Sequence, residues 1–257
     1  MLSANQIDQF VQRGFIQLSN VVPAETCAEI RNILWSKTGL NKLDRTSWLQ
    51  PVVRLGEFHD EPFRTAANMP QLLDAFDQLV GENRWQPRMS LGSFPIRFPS
   101  EAEPGDCGWH VDASFPGDDV NDFMNWRINV HSRNRALLML FLFSEVGVND
   151  APTRILVGSH LQVARMLAPH GQAGLPFMEL GSRLSELSNL QEVHAIGPEG
   201  TVYLCHPFLA HAAQAHRGTE PRFMAQPPLT LKEPYELKVD GSRNPPVEYA
   251  IIKALSN

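Results

Sequence analysis

The chain has 257 residues, 43% hydrophobic and 19% charged, with 17 glycines, 20 prolines and a formal net charge of −6. That length is enough to bury a sizeable core, the turn-rich composition fits a soluble fold with many strands, and the acidic balance argues against a nucleic-acid surface, which is basic. No apolar run reaches the ~20 residues of a membrane span, and the N-terminus lacks the basic and apolar blocks of a signal peptide. Three scattered cysteines, Cys27, Cys107 and Cys205, form no C-x-x-C pair; a reducing cytoplasm is the plain expectation, and a thiolate metal site is not.

In chain order, residues 3–13 predict a helix: Ser3 can cap it, Ile7, Phe10 and Val11 fall at helical spacing, and Gly14 ends the pattern. Residues 15–18 read as a strand, 23–37 as a second helix with Pro23 in its first turn, and 70–80 as a third, amphipathic one. These helices are expected to cover one outer face of a sheet. Residues 88–98 read as one strand ending at Pro99, and 100–106 as a polar loop. Residues 118–122 read as another loop, either a rim over a site or an ordinary solvated turn. The run 136–143 is eight apolar residues long, the length of a strand buried on both faces. A strand at 153–157, a helix from Gly158-Ser159-His160 to about 167, a helix around 180–187, a strand at 200–205 and a closing helix at 245–256 complete the reading. No repeat, low-complexity tract or linker divides the chain. A single domain over 1–257 is expected, with helical cover mainly in 1–80 and the core in about 86–235.

The chemistry concentrates in Gly108-Trp109-His110-Val111-Asp112. Side chains two apart on an extended strand point the same way, so His110 and Asp112 can take adjacent positions on one metal ion. Two histidines and one carboxylate on one face of an ion leave other positions open, the arrangement of non-haem Fe(II) oxygenases. A His-x-Asp triplet alone equally suits a hydrogen-bonded pair at a strand end. Three histidines compete for the remaining position: His206, His211 and His216, spaced by five and so unable all to point inward from one strand. His206, before Pro207, suits a substrate or supporting contact, and His216, before Arg217-Gly218, reads as exposed. Arg222 follows His211 by eleven residues, and its planar fork suits the far carboxylate of a dicarboxylic co-substrate.

In that order, His110-x-Asp112, the segment from Asp150 to His160, His211 and Arg222 resemble the phytanoyl-CoA dioxygenase family of Fe(II)- and 2-oxoglutarate-dependent oxygenases. The likeness runs over most of the chain. It implies a mainly β fold with flanking helices around a double-stranded β-helix (jelly-roll, cupin-like) core. It also implies Fe(II) on His110, Asp112 and His211, 2-oxoglutarate and O2 as co-substrates, and hydroxylation of a C–H bond with release of succinate and CO2. Arg222 matches the co-substrate's carboxylate clamp, Thr153 a hydroxyl near it, Arg54 a cation that reaches it, and Phe94 a pocket wall. Phe141 matches a strand aromatic but suits a core position better. His160 matches a helix start, where it would anchor a loop. Related halogenases lack a carboxylate at the position of Asp112, so an Asp there favours hydroxylation or a related oxidation. One departure is Ala213, often a serine in relatives. Cys107 and Cys205 read as buried filler.

Arg127, Arg133 and Arg135 follow the motif and suit either an anionic substrate or a solvated strand edge. The polar stretch 126–134 favours a small polar or carboxylated metabolite over a fatty acyl-CoA. Two other classes fit the same residues: a cupin-type metal enzyme that does not use 2-oxoglutarate, and a catalytically silent relative acting as a binding or sensor module.

Overall fold

The computed structural model describes residues 1–238 and 244–256. Helix α1 (Ala4–Arg13) begins at Ser3, whose hydroxyl accepts from the Gln6 N–H while the Gln6 side chain accepts from the Ser3 N–H; it ends at Gly14 in the left-handed region, φ 86°. The chain continues through β1 (Phe15–Leu18), α2 (Ala24–Thr38), β2 (Val52–Leu55), α3 (Glu61–Ala67), α4 (Pro70–Val80), β3 (Trp85–Gln86) and β4 (Phe94–Arg97). Then come β5 (Arg127–Ile128), β6 (Leu137–Leu142), β7 (Thr153–Leu156), α5 (Ser159–Leu167), β8 (Leu175–Pro176), α6 (Phe177–Arg183) and β9 (Glu192–Ala195). Last are β10 (Val202–Cys205), β11 (His211–Ala212), β12 (Met224–Ala225), β13 (Pro228–Leu231) and α7 (Pro246–Leu255).

The strand expected over 88–98 is shorter. Only β4 pairs, because Gly92 turns the backbone into positive φ (67°) and the Arg88 Nε–H donates back to the Ser90 carbonyl. The helix expected around 180–187 starts earlier, at Phe177, and its second half is a 3-10 turn. Helix α3 and strand β2 were not expected.

Among the described residues all pairing is antiparallel. Strand β6 is the hub: β10 lies on one side, with β1 beyond it, while β12 and β13 share the other, with β3 beyond β13. A smaller sheet runs β11-β7-β9, with His211 opposite Ile155 and Thr153 opposite Ala195. Strands β2 and β4 pair, and a bridge between Arg97 and Arg222 ties β4 to the segment entering β12.

Alternation along β6 sorts the two cores. Leu138, Leu140 and Leu142 pack with Tyr203, Met224, Ile155 and Ala195, in the space between the two sheets. Leu137, Met139 and Phe141 pack into the second cluster with Phe10, Ile30, Phe76 and Ile251 from α1, α2, α4 and α7. Helices therefore cover the outer face of the large sheet, and every residue of β6 is buried. Phe141 belongs to the outer, helix-facing set and stacks on Phe143.

Candidate metal centre

His110 and His211 face each other across a two-residue antiparallel bridge. Each N–H donates to the other's carbonyl at 3.0 Å, and the ring centroids lie 4.3 Å apart. The 108–112 stretch thus follows an extended path with this one bridge, outside any longer strand. The two rings are aimed alike. His110 Nδ1–H donates to the Gly108 carbonyl and His211 Nδ1–H to the Leu209 carbonyl, both at 3.0 Å. A carbonyl can only accept, so each neutral ring keeps its lone pair on Nε2. Asp112 Oδ1 lies 3.8 Å from both Nε2 atoms. That is too long for a hydrogen bond, but an ion about 2.1 Å from each donor spans it. Ligand atoms of the three residues all fall within 4.8 Å of one another.

Asp112 is anchored from behind. Arg135 donates to Asp112 Oδ2 at 2.9 Å and to the Ala113 carbonyl at 2.9 Å. Burial raises the Asp112 carboxyl, but Arg135, His211 and His110 outweigh it and hold the group below the usual carboxylate range. Burial, with His110 beside it, pushes His211 down to about 4, against the pull of Asp112. His211 is therefore uncharged beside an ionised Asp112, a donor pair ready for a cation.

Beside the imidazoles opens a cavity of about 170 Å³. Ala213 and Gln226 form walls, and Arg97, Arg54 and Asp106 line it as well. Register explains the set. Arg54 pairs with Pro95 while Leu55 pairs with Phe94, so Arg54, Pro95 and Arg97 share one face of the β2–β4 ribbon. Phe94 takes the other face and packs against Phe58, Phe63 and Phe143. Its expected place as a pocket wall is thereby corrected: alternation turns it into the helix-facing core.

The remaining expected residues divide. Thr153 is buried on the inner face, its hydroxyl 3.5 Å from the Gln226 amide and 3.8 Å from Met224 Sδ. Arg54 reaches the cavity but pairs with Asp106 and stays largely exposed. Arg222 is buried, donates to the Ala151 carbonyl and, at 3.5 Å, to the Pro95 carbonyl, and contributes no wall of this cavity. Burial and the neighbouring Arg97 push its pKa down to about 9, with Asp106 pulling the other way.

Four residues expected near a substrate are engaged elsewhere. Arg127 uses its guanidinium to hold the carbonyls of Ala173 and Gly174, Arg135 serves Asp112, and Arg133 stacks over Phe115. His206 is buried outside the cavity: its Nε2–H donates to the Val247 carbonyl, its Nδ1 accepts from the Phe208 N–H, and Phe10 and His160 pack on its ring. His216, expected exposed, is buried, with Nδ1 accepting from Gly218. His160 anchors the first helix, Nε2–H to the Val11 carbonyl. Cys107 is half-buried and Cys205 buried. Arg97, Asp106 and Gln226 were not singled out; the available signal was Arg97 itself, a lone cation between Ile96 and Phe98. A larger groove between α1, α4 and α7 lies away from this centre, lined by Ile7, Val11, Pro246 and Tyr249.

Fold and centre together define a jelly-roll protein with a two-histidine, one-carboxylate cluster opening into a cation-lined cavity. The chain belongs to the phytanoyl-CoA dioxygenase (PhyH) family, whose model matches residues 10–224. No curated protein sequence matches it. Among solved structures it is similar to HygX from Streptomyces hygroscopicus with nickel, 2-oxoglutarate and hygromycin B bound: 15% identity over 88% of this chain and 86% of that one, TM-score 0.56. The epimerase SnoN from nogalamycin biosynthesis is 13% identical over 94% and 91%, TM-score 0.54. EctD from S. alaskensis in its apoform is 20% identical over 90% and 76%, TM-score 0.50. At these identities the likeness is one of fold.

Proposed function

We propose that the chain is an Fe(II)- and 2-oxoglutarate-dependent dioxygenase that hydroxylates a C–H bond of a small metabolite. The observation that carries this reading is the convergence of two Nε2 lone pairs and Asp112 Oδ1, with both Nδ1 atoms already committed to carbonyls. Borderline nitrogen donors with one carboxylate suit ferrous iron and leave positions open on the ion. The buried Nε atoms of Arg97 and Arg222, which have no partner, suit an anion arriving beside it. His110, Asp112 and His211 would hold the iron, and Arg222, Thr153 and Arg54 belong to the co-substrate's surroundings. When bound, iron and 2-oxoglutarate supply the oxidising power: O2 is consumed, succinate and CO2 are released, and one oxygen atom is placed on the substrate. The chain's own part is to aim the donors, keep Asp112 ionised through Arg135, and hold the diacid next to the metal. HygX, with hygromycin B bound, sets the precedent for a small-molecule substrate on this fold.

The test is anaerobic addition of Fe(II) and 2-oxoglutarate to the purified chain. A visible charge-transfer band is expected, absent in His110→Ala. A native chain that binds Fe(II) yet gives no band would point instead to a cupin-type enzyme that does not use 2-oxoglutarate.

A further inference from the structure

At His110 the metal centre meets a row of aromatic rings. The Phe177 ring stands edge-on to the His110 ring at 5.9 Å, Phe123 lies 5.8 Å from Phe177, and Trp126 lies 5.4 Å from Phe123. None of these three aromatics lines the cavity of Arg97 and Ala213. Phe123 and Met124 are each 49% exposed, Val120 is 60% exposed, and Met178, next to Phe177, is exposed as well. The loop that carries the first three is held by its own bonds. Trp126 Nε1–H donates to the Val120 carbonyl at 2.9 Å, the Asn125 amide to Asp122 Oδ2 at 2.6 Å, and the Phe177 N–H to the Trp126 carbonyl at 2.7 Å. At the neck Phe115 and Arg127 exchange backbone hydrogen bonds, and a Cβ on Gly117 would strike the Asn125 carbonyl at 2.6 Å. An ordered loop that shows phenylalanine and methionine to solvent beside a metal centre is a binding surface. Charge narrows what can sit there. Asp118, Asp119 and Asp122 lie along the loop, Arg127 at its foot holds the carbonyls of Ala173 and Gly174, and Arg183 pairs with Glu179. With both arginines committed, the three carboxylates repel an anion.

We infer that the primary substrate carries no negative charge and lays an apolar ring system on the ledge of Phe123, Met124 and Phe177, with His110 at its inner end. Aromatic side chains pair with ring faces and edges, and methionine adapts to the gaps they leave. This rests on the dioxygenase reading above, and it departs from the small polar or carboxylated metabolite expected from residues 126–134, whose two arginines are engaged within the protein.

The test is proton NMR of three probes with the full chain under nitrogen at saturating 2-oxoglutarate, comparing Mn(II) with Zn(II) as the added metal. The paramagnetic ion broadens the lines of whatever binds beside it. 2-Naphthylmethanol should broaden about tenfold more than myo-inositol, which lacks the ring, and 2-naphthoate, which adds a carboxylate. Phe123→Ser combined with Met124→Ser should cut the naphthylmethanol broadening about fivefold to tenfold, while 2-oxoglutarate broadens as before. Equal broadening of either comparison probe, or a double variant that behaves as native, overturns the inference, and broadened 2-oxoglutarate then leaves the dioxygenase reading standing. A native chain that leaves 2-oxoglutarate sharp overturns both. A native dimer that the double variant turns into monomer, by sedimentation, gives the ledge to a second copy and also overturns the inference. Should the double variant lose 2-oxoglutarate too, Met124→Ser alone is expected to cut naphthylmethanol broadening about threefold, and unchanged broadening sinks the inference.

Discussion

Two pairs of imidazoles lie in this molecule at nearly the same ring separation, 4.3 Å for His110 and His211 and 4.9 Å for His160 and His206. Only the first pair is built for a metal. Its rings spend Nδ1 locally and leave Nε2 facing a carboxylate. In the second pair each Nε2–H is taken by a helix-layer carbonyl, Val11 or Val247, and Phe10 and Phe208 fill the surroundings. Nearness of histidines therefore decides little; the nitrogen left free and the third donor decide the chemistry.

The contrast can be broken most severely by crossing one variant from each pair. His110→Ala should weaken Fe(II) binding by well over the roughly hundredfold typical of losing a supporting contact, with little change in urea-unfolding stability. His206→Ala should do the reverse, keeping the metal but costing about 3 kcal/mol through the cavity left among aromatic rings. Equal loss of metal in both would erase the distinction.

A smaller effect is expected at Arg135, which touches the carboxylate but does not line the cavity beside the imidazoles. Arg135→Met should lower Fe(II) affinity about tenfold to a hundredfold by freeing Asp112, as measured by competition with a chelating dye. Unchanged affinity would show that Asp112 needs no anchor.

The smallest effect sharpens the comparison through pH. Burial pushes His160 down to about 4, and burial with His160 beside it drives His206 well below its usual value. The unfolded chain protonates these rings near pH 6.5, so below that it binds protons the folded chain refuses. Stability is then full above about pH 6.5 and falls as pH drops toward 4, by up to about 1.4 kcal/mol per pH unit for each ring. His160→Gln should make the acid limb of the stability curve shallower by about one such contribution; an identical slope would refute the assignment.

What the sequence showed and hid follows from the range of the interactions involved. The Ser3 cap, the Gly14 stop and the apolar run through 136–143 are encoded within one turn or one strand, and the structure has them in place. Strand spacing paired His110 with Asp112, while the choice of His211 over His206 and His216 came with the family resemblance; the three side chains do meet. The partner of an arginine is another matter. Arg127, Arg133 and Arg135 look alike in sequence, yet one holds a loop's carbonyls, one lies over a phenylalanine and one grips Asp112. Those partners lie between 18 and 47 residues away, and nothing local marks them. Phe94 was misplaced for a related reason: the face it occupies depends on the β2 register, and β2 itself was not foreseen.

The self-aiming of the two metal-facing rings has an evolutionary consequence. Each imidazole takes its orientation from a carbonyl two residues earlier in its own segment, and the two segments are stitched together backbone to backbone. Distant side chains are free to drift without tilting either ring. A lineage could thus rebuild the cavity walls for new molecules while the iron-gripping unit travels unchanged, a division of labour that favours chemical diversification on one scaffold.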